Sequence, residues 1–326
     1  MFRSGTVALI GRANVGKSTF LNTALGEPLA AVSSHPQTTR DALLAVVTRD
    51  RAEFALVDSP GLHKPHNELG RRMNLSAIDA AQRADFALVF IDVSRLAKEA
   101  REHKQRRGSP GTSGVAEDIR VIESIPSGIP WAIVLNKVDC LKDKSLLLPL
   151  LSDLGRRYPD NDVIPISSLD RIDVERVLEA VTPALPERPA RYSADTLTDR
   201  PIRYFAAEYI REQVMRSTRG ELPFAVAVTI DEFSEMENAA MIQATISVEK
   251  DGQRIILIGH KGRQIRDIGI LARQRIEHLL QKKVYLRIFV KTCKHWKDNQ
   301  RLLAELGYSN SRPSEVAPLA PSPGGA

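Results

Sequence analysis

The sequence predicts an α/β chain of two units, a mainly parallel sheet with helices on both faces followed by a smaller α+β domain. Three observations carry that prediction. Short β-rich runs alternate with amphipathic helical stretches over residues 6–182. A glycine-rich turn of phosphate-loop type stands between the first run and the first helix. After Pro183, Pro186 and Pro189 the order of elements changes and the charge turns basic.

Taken in order, candidate strands cover 6–10, 42–48, 53–57, 86–91, 131–135 and 163–166, each an apolar or β-branched run of strand length. Helical patterns follow most of them, and right-handed crossovers then bring the loops after the strands to one carboxyl edge. This first domain is assigned to residues 1–182, and the proline-marked stretch 183–200 reads as a linker. The second domain, 201–308, opens with a helix over 202–218. Strands at 224–231 and 241–250, two helices meeting at 259–262, a strand at 284–290 and a helix at 301–306 complete it. Two segments read as unstructured: a charged, then Gly/Ser/Pro-rich insert at 97–114, and a low-complexity tail at 309–326.

At 326 residues the chain can bury two cores, and 43% hydrophobic with 26% charged residues is a globular composition. No apolar run approaches the roughly 20 residues that span a bilayer. The longest, 86–93, is broken by Asp92. The first residues lack the apolar core of a secretory signal. Cys140 and Cys293, far apart, argue for a reducing compartment and against a disulfide framework or thiolate metal cluster. These features point to the cytosol. The net charge of +6 is unevenly placed: residues 249–301 hold 14 Lys/Arg against 5 Asp/Glu, the remainder 32 against 35. A basic end on a slightly acidic body suits contact with a polyanion, with a solvated basic face as the competing reading.

Gly11-Arg12-Ala13-Asn14-Val15-Gly16-Lys17-Ser18 matches G-x-x-x-x-G-K-[ST] between an apolar strand and a helix, the setting in which that pattern holds phosphate. Its backbone N–H groups would curl around phosphate oxygens, Lys17 would bridge the β- and γ-phosphates, and the Ser18 hydroxyl would ligate Mg²⁺. Thr19 continues this set into the helix, whose N-terminus adds its positive end. Asn136-Lys137-Val138-Asp139 follows the strand at 131–135 and selects the base. The Asp139 carboxylate accepts from guanine N1–H and N2–H₂, which adenine lacks, so ATP would leave buried groups unpaired. Asn136 is expected to tie this loop to the phosphate loop, and the Lys137 stem to cover the base.

Asp58-Ser59-Pro60-Gly61 follows the strand at 53–57. Asp58 would hold Mg²⁺ through water, and the Gly61 N–H would meet the γ-phosphate. In the loop Gln37-Thr38-Thr39-Arg40, Thr39 is the candidate switch threonine that ligates Mg²⁺ while the γ-phosphate is present, with Thr38 its close competitor. Ser167-Ser168, after the strand at 163–166, would offer a backbone N–H to guanine O6.

These five boxes in this order resemble the translation-factor-related GTPases, and the Era family in particular. The continuation Gly61-Leu62-His63-Lys64-Pro65, the Gln-Thr-Thr-Arg switch, Leu197-Thr198-Asp199-Arg200-Pro201 and Glu221-Leu222-Pro223-Phe224-Ala225-Val226-Ala227-Val228 are all similar to that family. Ala13 departs from the family's usual proline, and Ser168 from the usual alanine of the fifth box. The resemblance implies a P-loop GTPase of slow intrinsic turnover. Leu62 stands where Ras-like switches place the water-orienting glutamine, which leaves Lys17, Thr39, Gly61 and Mg²⁺ to position the reaction. Asn14 matches the position at which relatives hold K⁺ in place of an arginine finger; simple capping of the loop is the alternative. The resemblance further implies GTP and GDP as ligands, binding of the 16S rRNA 3′ end, and action as a monomer in maturation of the 30S subunit. It also implies a cytoplasmic location with peripheral association at the inner face of the cell membrane, for which the sequence offers no obvious amphipathic anchor.

Gly259-His260-Lys261-Gly262 is a G-x-x-G between the apolar segment 255–258 and a basic helix at 263–281. The surrounding order, helix-strand-strand-helix-helix-strand, is that of a type II KH domain. There the small turn lets the backbone approach a sugar-phosphate chain, His260 and Lys261 face phosphates, and an apolar groove takes the bases of a single strand. Lys250, Arg254, Arg263 and Arg266 are placed to add phosphate contacts, and two or three of the four are expected to do so. Trp296 reads more readily as a packing anchor than as a stacking platform. A plain RNA-binding protein with structural nucleotide is the reading from another class; intact Lys17, Ser18, Thr39 and Asp58 argue against it. A GTPase acting on transfer RNA lacks a C-terminal G-x-x-G domain in this order, and a metabolic P-loop kinase fails on Asp139.

Overall fold

The computed structural model describes residues 1–97, 113–193 and 195–308. Most of the insert and all of the tail lie outside the described residues. The first unit runs β1 (Arg3–Gly11), α1 (Lys17–Leu25), β2 (Leu43–Thr48), β3 (Ala52–Asp58), α2 (Glu68–Gln82), β4 (Phe86–Asp92) and α3 (Ser113–Ile119). It continues through β5 (Trp131–Asn136), α4 (Leu148–Arg157), β6 (Val163–Ile166) and α5 (Arg171–Val181). The sheet order is β2-β3-β1-β4-β5-β6, parallel throughout except for β2 against β3.

Every residue of β3 and β4 is buried, which is why both read as largely apolar runs without alternation, broken only by Glu53 and by the terminal Asp58 and Asp92. Successive side chains feed opposite faces: Val7, Leu9 and Phe90 join one core, Ala8, Ile10 and Val89 the other. Strand order reverses around β1, with β3 on one side and β4 on the other. The loop after β1 therefore opens at the crevice where such sheets bind ligands.

The second unit comprises α6 (Ile202–Ser217), β7 (Ala227–Glu235), β8 (Ala239–Val248), α7 (Asp251–Ile258), α8 (Arg263–Leu280), β9 (Lys283–Thr292) and α9 (Gln300–Glu305). Its sheet is ordered β7-β8-β9, antiparallel then parallel. Ile210 and Val214 of α6 and Ile268 and Ala272 of α8 cover one face of it. The first of these strands begins at Ala227, three residues later than the sequence suggested. Leu222–Phe224 form a 3₁₀ turn instead, because Pro223 has no N–H for a ladder and its fixed φ suits a helical start.

The stretch read as a linker is a strap bonded to the first domain. Pro186 O accepts from Ser4 N (3.1 Å), Arg188 pairs with Asp85 (2.6 Å), and Leu197 O accepts from Val46 N (2.9 Å). Buried Glu53 anchors its middle: its carboxylate accepts from Ser4 Oγ (2.8 Å) and from the backbone N–H groups of Arg191 (2.8 Å) and Tyr192 (3.1 Å). Glu53→Ala leaves three donors unmet, that of Ser4 fully buried, and should cost about 3 kcal/mol of stability, read as a fall in the urea midpoint. An unchanged midpoint would show that the strap is only loosely held.

Candidate functional site

The carboxyl edge of the large sheet gathers its loops around a cavity of about 340 Å³, lined by Asn14, Lys17, Ser18, Thr39, Gly61 and Lys137 among others. Gly16 has φ +103°, and a Cβ there would stand 2.1 Å from Asn136 Nδ2. Asn136 donates to Val15 O (2.7 Å) and accepts from Ser168 N–H (2.9 Å). One buried amide thus fastens the loops after β1, β5 and β6.

Lys17 is almost fully buried, with Nζ on the carbonyls of Gly11 (3.2 Å) and Arg12 (3.0 Å). Burial lowers its pKa to about 8 against the pull of Asp58 and Asp118. Phosphate oxygens would replace neutral acceptors with charged ones. Beside it, Ser18 Oγ donates to Asp58 Oδ2 (2.6 Å), and Thr39 Oγ1 lies 3.0 Å from Ser18 Oγ and 3.1 Å from Asp58 Oδ2. Thr38 Oγ1 bonds Ser33 Oγ (2.7 Å) and His35 O (2.8 Å) instead, so of the two threonines it is Thr39 that reaches the cluster. Asp58 is fully buried, its Oδ1 has no partner, and burial raises its pKa. Converging hydroxyl and carboxylate oxygens with one buried oxygen unpaired suit a hard divalent cation such as Mg²⁺.

Around this centre the remaining residues take varied parts. Asn14, at φ +64°, donates Nδ2 to Ser34 O (2.7 Å) and so reaches from the phosphate loop into the switch loop. Arg12 turns away to Glu117 (2.5 Å) and Asp118 (3.3 Å), which leaves only its backbone to the site. Thr19 lines the cavity and Val15 is buried beneath it. Ser59 Oγ donates to Leu9 O (2.6 Å), fixing the turn through Pro60; a Cβ on Gly61 would stand 2.4 Å from Ala13 N. Leu62 N donates to Gly11 O (3.1 Å), holding the second switch against the phosphate loop. Asp139 is exposed on the turn after β5.

One expectation needs correction. The Ser167 N–H is taken by Asp173 (2.8 Å) and the Ser168 N–H by Asn136 (2.9 Å), so neither is free for guanine O6. The next amide, that of Leu169, holds only a 3.4 Å bond to Ser167 Oγ.

Other contacts were not visible in the sequence. Lys137 Nζ donates to Asn14 O and to Asp92 Oδ2, both at 2.6 Å. Asp92 reads in sequence only as a break in an apolar run, although a carboxylate ending a parallel strand is a usable signal. His63 Nδ1 donates to Gly61 O (2.9 Å), which makes Nε2 the acceptor for Gln37 Nε2 (3.2 Å) and joins the two switches.

Both switches also reach the second domain. Arg40, 2% exposed, donates to Val226 O (2.6 Å) and Tyr308 Oη (3.0 Å), with the rings of Trp296 and Tyr308 each 5.7 Å from its guanidinium carbon. Arg211, 1% exposed, donates to Thr38 O and pairs with Glu208. Leu69 and Met73 of α2 pack with Trp296, Leu303 and Tyr308. Trp296 is the packing anchor of this junction, its Nε1 donating to Ala225 O (3.1 Å).

At the other end, Gly259 (φ 74°), Lys261 (φ 51°) and Gly262 (φ 73°) shape the turn between α7 and α8. His260, Lys261, Lys250, Arg254, Arg263 and Arg266 are all exposed near it, and Ile255 and Ile256 present an open apolar flank. Arg254 lies 3.9 Å from Asp251; the other three flanking cations have no acidic partner among the described residues.

Comparison with known proteins agrees with this layout. Residues 6–137 match the family described as 50S ribosome-binding GTPase, and residues 221–297 match the KH domain. GTPase Era of Geobacter metallireducens is 39% identical over 310 residues, covering 94% of this chain and 98% of that protein. GTPase Era of Ectopseudomonas mendocina is 40% identical over 309 residues, covering 94% and 97%. A variant of Aquifex aeolicus Era bound to GDP and AlF4⁻ superposes with a TM-score of 0.85 at 30% identity, over 94% of this chain and 100% of that one. Era bound to MgGDPNP and nucleotides 1506–1542 of 16S ribosomal RNA gives 0.85 at 30% identity, over 95% and 100%. With a phosphate loop, a guanine box, two switches and a C-terminal KH domain in one chain, this protein belongs to the Era family of GTP hydrolases.

Proposed function

We propose that this protein is a Mg²⁺-dependent GTPase, its nucleotide state governing how the KH domain engages the 3′ end of 16S rRNA during 30S subunit maturation. The observation that carries this reading is the double anchoring of the switch loop. Thr39 stands beside Ser18 and Asp58, while its neighbours Thr38 and Arg40 are held by Arg211, Val226 and Tyr308 of the other domain. A γ-phosphate that fixes Thr39 thereby biases the junction. The Era complex with MgGDPNP and a 16S rRNA segment supports the same ligands here.

In this reading GTP is bound by residues 11–19, by 58–62 and by Asn136, Lys137 and Asp139, with the GTPase domain at 1–182, the strap at 183–200 and the KH domain at 201–308. Ser18 and Thr39, with Asp58 through water, would hold Mg²⁺, which would supply positive charge against the phosphates. Lys17 spans the β- and γ-phosphates, and the Gly61 N–H fixes the γ-phosphate. Apolar Leu62 orients no water, so unaided turnover is slow. Asn14, with Nδ2 occupied by Ser34 O, would offer its Oδ1 to a K⁺ at the phosphates. Turnover should then be about tenfold faster in KCl than in NaCl; equal rates remove the ion. The protein works in the cytoplasm as a monomer. Contact with the inner membrane face, in this reading, is peripheral; no helix among the described residues is long and apolar enough to cross a membrane.

Crosslinking in cells with GTP-locked protein tests the whole reading. The 16S rRNA 3′ end should dominate the recovered RNA, whereas scattered mRNA coverage would refute it. Full assembly function in a Lys17→Ala variant would instead favour a plain RNA-binding protein.

A further inference from the structure

Along β9 the exposed side chains alternate cation and aromatic: Lys283, Tyr285, Arg287, Phe289, Lys291. Tyr285 is 64% exposed and Phe289 49%. The intervening Leu286, Ile288 and Val290 turn inward to the core shared with α6 and α8. The exposed set therefore lies on the sheet face opposite the helices that carry the G-x-x-G turn. Met241, 44% exposed, stands beside Tyr285 on β8 and extends the apolar surface. Beside Tyr285 and Arg287 a groove of about 270 Å³ runs to Arg273 of α8.

Charge on this face is segregated. None of Lys283, Arg287 and Lys291 has an acidic partner among the described residues. The acids of the same sheet sit on the far strand β7 and are engaged there, Asp231 with Thr229 and Thr245, Glu232 with Gln243. Two solvated aromatic rings between three unpaired cations fit a partner with flat π-faces and regular negative charge. An apolar protein surface would leave those cations stranded on burial.

We propose that the outward face of β9 is a second RNA track, on which a single strand stacks bases against Tyr285 and Phe289 and sets phosphates at Lys283, Arg287 and Lys291. The proposal rests on the RNA-binding reading of the G-x-x-G turn and adds a separate surface to it. A KH groove clamps about four nucleotides, so a longer RNA must lie on something else. Same-face side chains recur about every 6.6 Å along a strand, which sets the two rings roughly 13 Å apart with Arg287 between them.

Fluorescence anisotropy on the full chain separates the two surfaces. The probes are a groove-length oligonucleotide of about six nucleotides, and that oligonucleotide extended by about ten adenosines. The wild type should bind the extended RNA more tightly. Tyr285→Ala/Phe289→Ala should weaken binding of the extended RNA by about 30-fold or more and leave the short one within twofold. Lys283→Gln/Arg287→Gln/Lys291→Gln should lower the slope of log K against log salt by about 2 for the extended RNA alone. Unchanged GTP turnover and melting temperature in both variants establish that they fold. If the extension adds no affinity, or the variants lose both RNAs equally, the track is refuted while the groove reading stands. If the wild type binds neither RNA, both fall. Loss of a self-associated species in sedimentation, without any change in RNA affinity, would assign the face to a second copy and overturn the proposal.

Discussion

Asp139→Asn is expected to lower GTP affinity by about 10³-fold and to create affinity for xanthosine triphosphate. The carboxylate offers two acceptors to guanine N1–H and N2–H₂. An amide offers one acceptor and one donor, so one charge-assisted bond is lost and N–H is set against N–H. Charge-assisted bonds contribute about 1.5–3 kcal/mol each, and losing one while opposing a second donor approaches 4 kcal/mol, or a thousandfold. Xanthine carries a carbonyl where guanine carries the amine, so the same amide meets it with a donor. Asp139 is exposed, and the isosteric change should leave the melting temperature alone. Competition binding with both nucleotides reads the switch; undiminished GTP affinity would show that the base is recognised elsewhere.

Gly16→Ala should abolish nucleotide binding by a different route. A methyl group there would stand 2.1 Å from Asn136 Nδ2, at φ +103°, where a side chain is strained in any case. Asn136 must then move, and its bonds to Val15 O and Ser168 N–H move with it. The phosphate loop and the guanine loop lose their common brace together. A fall in GTP affinity of at least 10³-fold is expected from two lost buried bonds and a displaced loop. Asn136→Ala in the same background should not restore it, because the strained φ remains. Binding within tenfold of wild type in Gly16→Ala would mean that the loops adjust independently.

How much of this was legible depends on whether chemistry or encounter dictates the residue. Phosphate and guanine demand particular groups at particular spacings, so Lys17, Ser18, Asp58, Asn136 and Asp139 stand out in one dimension. The preference for Thr39 over Thr38 was open until the fold showed which hydroxyl faces Ser18 and Asp58. The burial of Arg40 and Arg211 has no local signature, since the partners that enclose them across the junction lie more than 170 positions away, and the nearby Arg211–Glu208 pair looks like any helix-surface pair. The same holds for Glu53, an ordinary charge in a strand pattern until Arg191 and Tyr192 arrive. Ser167 and Ser168 failed as O6 donors because Asp173 and Asn136 claim their amides, a competition that a two-residue motif does not display. Along β9 the alternation of polar and apolar positions was readable, but not which of its aromatics would stay in water.

The burial of Arg40 bears on how the molecule is made. Arg40 leaves the ribosome well before the groups that enclose it, which come at Val226, Trp296 and Tyr308. Synthesis runs from the N-terminus, and domains generally fold as they emerge. A nascent chain that already contains the whole nucleotide pocket therefore still carries this guanidinium in water. The loop around Thr39 gains this anchor only once translation has passed Tyr308, so a chain still being made lacks a clasp that the folded protein has.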